Sequence, residues 1–127
     1  MDISTLNTKT GAEKGAFMQL AHPAFGTPLT DENDEPVGLF VRGNDAPSVQ
    51  KKLKAMQKAS MSGGEQTGLE YVCSLVVGVK GLDRDGRPLT TSREDLEFLF
   101  GQSDAFVEQV ATFARDRANF FGATASA

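Results

Sequence analysis

The stretch from Val79 to Phe121, VKGLDRDGRPLTTSREDLEFLFGQSDAFVEQVATFARDRANFF, constrains the fold more than any other part of the chain. It opens on a short apolar segment. Asp83-Arg84-Asp85-Gly86 then predicts a tight turn, because Asp and Gly both accept positive φ. Ser92 stands where a helix N-cap belongs, with Asp95 three residues on, where a carboxylate complements the helix N-terminus. Leu96, Leu99 and Phe100 form the apolar stripe of that helix, and Gly101 closes it. Ser103 predicts a second cap, with Asp104 in the first turn. Phe106, Val110, Phe113, Arg117 and Phe120 follow at helical spacing, with Val107, Ala114 and Phe121 beside them. They predict one continuous helix to Phe121, roughly 27 Å long at about 1.5 Å per residue. Gly122 ends it, and Ala123 to Ala127 is read as a frayed tail.

Upstream the signals are weaker. Residues 1–15 are polar and read as a loose arm, with a short strand near Ile3. Ala16 to Ala21 is extended, with Phe17 and Leu20 as anchors, and His22-Pro23 ends it. Asp31 to Pro36 is an acidic turn, and Val37 to Arg42 (VGLFVR) is the clearest strand. Residues 16–42 therefore predict an N-terminal β-hairpin with a long charged loop, which must pack on helices to be stable. Asp45 is placed as the N-cap of a helix carrying Val49, Leu53, Met56 and Ser60 on one side and Lys51, Lys52, Lys54 and Lys58 on the others. Gly63-Gly64 ends it. Gln66 to Val79 predicts helix through Val77, from Leu69, Val72, Cys73, Val76 and Val77, and extended chain beyond. The β-branched valines support a strand as the alternative. The sum is a single α+β domain over residues 1–127, mainly helical, with about four helices in the part spanning 45–121.

A chain of 127 residues buries roughly two-thirds of its unfolded surface and needs no metal or disulfide to fold. Cys73 is the only cysteine, which excludes an intrachain disulfide and fits a reducing compartment. The start, MDISTLNTKTGAEKG, lacks the basic-then-apolar pattern of a secretory signal. The apolar run around Leu75 to Val79 is too short to span a bilayer, so no membrane partner is expected.

No chemistry-bearing constellation stands out. His22 has no nucleophile or carboxylate partner marked by spacing. Cys73 sits on an apolar helix face, where a thiol is a packing group. The DRDG turn lacks the ligand positions of a calcium loop, and DENDE reads as a solvated loop. MSGGEQTG lacks the Gly-Lys-Ser/Thr of a phosphate loop. The chain is expected not to be an enzyme and to hold neither a cofactor nor a metal. KKLKAMQK is the one basic patch, but it has no interleaved aromatics, and the net charge is −4. A solvated face or an acidic protein partner is favoured over nucleic acid.

The Val79–Phe121 region resembles the tail assembly chaperones of long-tailed (siphovirus-type) bacteriophages. The matching pieces are Val77-Gly78-Val79-Lys80-Gly81-Leu82, Asp85-Gly86-Arg87-Pro88-Leu89, Ser92 to Leu99, and Asp104 to Phe120 with Glu108-Gln109-Val110 and Asn119-Phe120. Upstream, His22-Pro23, Arg42-Gly43-Asn44-Asp45 and the lysine-rich helix are compatible in order. Each motif is weak alone, and Val79 stands where many relatives would have Trp. The resemblance implies a protein of the host cytoplasm that binds the tape measure protein, keeps its helices from aggregating, recruits tail tube protein and is not retained in the virion. The alternatives are a virion structural part, such as a tail-completion or connector protein, and a nucleic-acid-binding regulator. Pliable apolar surface suits a chaperone of this kind. Val49, Leu53, Met56, Met61, Phe113, Phe120 and Phe121 are the candidate partner-binding residues, with core packing as the competing role for each. Self-association through the same surfaces is a further expectation.

Overall fold

The structure, a computed structural model, describes residues 1–61 and 68–125, with 59–61 and 122–125 described by backbone only. The chain is an α+β fold with six α-helices and two small antiparallel sheets among the described residues. Alternation in VGLFVR produces the central strand. β1 (Ala16–Gln19) pairs with β2 (Gly38–Val41) in the register Phe17↔Phe40 and Met18↔Leu39. β3 (Val76–Lys80) pairs with the other side of β2, with an irregularity between Phe40 and Val41. The expected hairpin is thus part of a three-stranded sheet. Its connection, residues 20–37, doubles back through the bridges Ala21↔Pro28 and Thr30↔Pro36.

The arm at residues 1–15 is not loose. A 3-10 turn stands at Ile3–Leu6, where a strand was expected, and α1 (Lys9–Lys14) buries Gly11 and Ala12. The glutamate of α1 also corrects the reading of Asp45. The first turn of α2 (Pro47–Met61) is capped by Glu13, whose carboxylate accepts from Ser48 N–H at 2.9 Å and Ser48 Oγ at 2.7 Å. Asp45 instead accepts from Arg117 Nε and Thr8 Oγ1, both at 2.6 Å, tying α1 to the chain's end. These donors hold its carboxyl below the usual range, Arg117 foremost.

α3 (Gly68–Leu75) stops two residues earlier than predicted. Val76 is drawn into β3 against Val41, and Leu75 O accepts from Arg42 N–H at 2.8 Å. The β-branched run suits the pleated position better than a helix end, and Gly78 disfavours helix further. The expected Gly63-Gly64 terminus and the start at Gln66 lie outside the described residues.

β4 (Asp83–Arg84) and β5 (Arg87–Pro88) close around Asp85 and Gly86, with φ of 51° and 82°. The positive-φ turn follows the residues expected to make it. α4 (Arg93–Gln102) and α5 (Asp104–Arg115) begin at the predicted caps, Ser92 and Ser103. The long last helix does not form. Asp116 adopts φ −89°, ψ 101°, and its Oδ1 accepts from Ala118 N–H at 3.1 Å to start α6 (Ala118–Ala125), which runs past Gly122. Asn119 Nδ2 donates to the Phe113 carbonyl at 3.0 Å, satisfying the end of α5. An Asp that caps the following turn competes well with helix continuation. The break folds Phe120 back onto Gly43, where an added Cβ would lie 2.8 Å from the ring.

The core lies between the inner face of the sheet and the helices. Leu20, Leu39, Leu75, Val41, Val49, Val72 and Val110 are its largest fully buried apolar members. Asp95 is buried among them at 1 % exposure. It accepts from Arg87 at 2.7 and 3.0 Å, from Arg84 at 3.2 Å, and from Thr90 N–H and Oγ1 at 2.8 and 2.6 Å. The side chain predicted only to complement a helix terminus therefore pins the β4–β5 hairpin to α4.

Candidate docking groove

A groove of about 770 Å³ lies between the 21–26 turn and α5. Its first wall follows from local sequence. Pro23 and Gly26 force a turn after β1, with Gly26 at φ 72° and its N–H donating to His22 O at 2.9 Å. His22 Nδ1 accepts from the N–H groups of Ala24 and Phe25 at 3.1 and 3.2 Å. The imidazole thus organises the turn, and Phe25 stacks on it at 4.6 Å between ring centroids. Phe25 remains 79 % exposed.

The second wall is a stripe of α5, with Ala105, Glu108, Gln109 and Thr112 at helical spacing, and Asp116 lies just past the end of the helix. Gln109 binds the two walls together. Its Oε1 accepts from Ala21 N–H at 2.9 Å, and its Nε2 donates to Ala21 O at 3.1 Å. A side-chain amide here takes the place of a neighbouring strand, so the turn keeps its distance from α5. Met18 and Phe113 add apolar lining. The charged lining residues are Glu108 and Asp116, with His22 the one basic group in the lining.

The candidate partner-binding residues are not brought together. Phe113 lines the groove, half-buried, with its ring edge-on to Phe120 at 5.4 Å. Val49 and Phe120 are core, at 1 % and 2 % exposure, and offer no surface. Leu53 and Met56 are half-buried on α2, away from the groove, and Phe121 is 39 % exposed. The side chain of Met61 lies outside the described residues.

Two exposed aromatics were not among the candidate partner-binding residues: Phe25, read as the start of an extended stretch to Pro28, and Phe40, read within the strand Val37 to Arg42. Phe25 sits in a turn, not in a periodic element, and flanking proline and glycine were the only signal that it cannot fold inward. Phe40 occupies the outward register of β2 beside Phe17, at 5.3 Å, with Lys80 Nζ 5.5 Å from the Phe17 ring. With Val77 it gives the sheet's outer face an apolar patch.

Cys73 is 8 % exposed, and burial pushes its thiol above the ordinary range. Among the described residues, no three His, Cys, Asp or Glu side chains converge as metal ligands. No helix among them is long and apolar enough to cross a membrane. No protein-family model, curated protein or solved structure matches the chain.

Proposed function

We propose that the protein is a tail assembly chaperone of long-tailed bacteriophages, acting in the host cytoplasm by binding and not by catalysis. In this reading it holds the tape measure protein, promotes assembly of tail tube protein around it, and leaves before the virion is complete. The binding part of the reading rests on one observation, the open groove beside a phenylalanine that is 79 % exposed. A large aromatic costs little to display when its turn is fixed by internal hydrogen bonds, and it contributes strongly when a partner covers it. The phage assignment rests on the order and spacing of motifs from Val79 to Phe121.

Co-expression with the tape measure protein of the same phage tests the proposal. The client is expected to become soluble and to co-purify. A client that stays insoluble and never co-purifies refutes the reading. Mass spectrometry of purified particles separates it from the alternative of a tail-completion or connector protein. Stoichiometric presence in virions would favour that structural role.

A further inference from the structure

We infer that the free edge of β3 pairs with the same edge of a second copy of the chain, joining two three-stranded sheets across a two-fold axis at Gly78. The inference is independent of the chaperone reading and uses a surface apart from the groove. The direction of the backbone amides carries it. Leu20 N–H donates to Val37 O at 3.0 Å, so along the β1–β2 register Met18 and Ala16 exchange amide bonds with Leu39 and Val41. Gly38, Phe40 and Arg42 therefore turn their amides toward β3, and Arg42 N–H donates to Leu75 O at 2.8 Å. Lys80 and Gly78 stand opposite Gly38 and Phe40, and the extra residue of β3 falls at Val76 and Val77, opposite Val41. Alternation along the strand leaves the N–H and C=O groups of Val77 and Val79 facing away from β2. No strand lies beyond β3, and among the described residues no other hydrogen bond reaches those four groups. The opposite edge of the sheet is closed at Ala21, where the Gln109 amide takes both backbone groups. Unpaired amides on β-branched residues are a template for another strand.

The edge is self-complementary, which selects a second copy as its occupant. With the axis at Gly78, Val77 pairs with the partner's Val79 and Val79 with the partner's Val77, and each pair exchanges two backbone bonds. Gly78 meets the partner's Gly78 in the close, non-hydrogen-bonded position, at about 4.5 Å between Cα atoms, with no side chain to collide. Phe40 is 40 % exposed and lies over Gly78, where an added Cβ would be 2.9 Å from its Cδ2. The ring thus reaches across β3 toward the axis, and the partner's Phe40 arrives from the other side. Lys80 falls opposite the partner's Val76, so the register brings no like charges face to face.

The test uses the full chain. Sedimentation equilibrium from about 5 to 500 µM should show monomer passing to dimer and no further, because the interface is small and a two-fold contact closes on itself. Amide exchange followed by NMR assigns the surface. The Val77 and Val79 amides should exchange at least about tenfold more slowly at the top of that range than at the bottom, whereas Gly78 and Lys80, paired with β2 inside one chain, should be protected alike at both. Val77→Pro removes a donor from the free edge and none from the β2 ladder, and should weaken the dimer at least about tenfold. Phe40→Lys brings two cations together at the axis and should weaken it similarly, less so at high salt. Phe40 is on the outer face of the sheet, so this variant keeps the fold and serves where the proline does not. A chain that stays monomeric, a dimer whose Val77 and Val79 amides remain unprotected, assembly beyond the dimer, or indifference to both substitutions overturns the inference. A monomer that still solubilises the tape measure protein removes this pairing and leaves the chaperone reading standing. A dimer with the expected amide protection that solubilises no client does the opposite.

Discussion

Adjacent phenylalanines near the end of the chain offer the sharpest test of the fold. Phe120 is 2 % exposed, against Gly43 and edge-on to Phe113, whereas Phe121 is 39 % exposed. Truncating a buried Phe to Ala costs about 3–5 kcal/mol, and the lower end applies because a terminal helix can settle into the void. Unfolding entropy of about 2.1 cal/mol/K per residue gives roughly 0.27 kcal/mol/K for a chain of this length. Phe120→Ala should therefore lower Tm by about 11 °C. Phe121→Ala removes a ring that already meets solvent and should cost under about 1 kcal/mol, a shift below about 4 °C. Circular dichroism melts of the two variants, with urea titrations to confirm an unchanged slope, measure both. Equal shifts, or a larger one for Phe121, would refute the break at Asp116. An unbroken helix would set its own rotation and need not turn Phe120 toward Gly43.

Two other perturbations read single groups. Asp95→Asn keeps the shape but turns an acceptor of five hydrogen bonds partly into a donor facing donors, so its melt should fall by several degrees, more than for Glu97→Gln on the exposed side of α4. The Arg87 guanidinium and the Thr90 donors hold the Asp95 carboxyl well below the ordinary range. Its stabilisation is complete above about pH 4, where an unfolded aspartate is ionised, and declines as pH falls toward the folded value. The gap between wild type and Asp95→Asn should accordingly narrow below about pH 4 in melts taken from pH 7 to 2.5. Cys73, buried and raised in pKa, should react with an aromatic disulfide reagent at neutral pH far more slowly than in urea. Rapid labelling of the native protein would show that the α3 face is open.

What the sequence made legible was local. Ser92 and Ser103 cap helices because a hydroxyl three or two residues ahead of an N–H satisfies it regardless of context. Asp85-Gly86 turns because its dihedral preference is intrinsic. Leu96, Leu99 and Phe100 are buried as their stripe required. Misplaced features depended on partners distant in sequence. Asp45 looked like a cap, but Glu13 capped that helix from 35 residues away and left Asp45 for Arg117. Val76 and Val77 fitted helical spacing, yet a strand edge at Val41 was available to them. Asp116 and Asn119 carried a visible cap-like signal that the apolar periodicity through Phe120 concealed. Gln109 was noticed as part of a motif, while its role, bracing the backbone of Ala21, required knowing that the 21–26 turn lies beside α5.

The same distinction bears on how the proposed chaperone would meet a client. A helical stripe is the usual place to look for pliable apolar surface, but the stripes here are already used. Exposing Val49 or Phe120 to a partner would forfeit about 1.5–3 kcal/mol of burial each before any contact was made. A small domain with total stability of about 5–15 kcal/mol cannot release several such residues and stay folded. Phe25 needs no release, because His22 and Gly26 hold its turn outward. Loops fixed on a rigid scaffold are where binding groups are displayed without disturbing the core. If a client is held by the folded monomer, turn and groove are the surfaces that let it bind at no cost to the core, and substitutions there should separate binding from stability where substitutions in the stripes cannot.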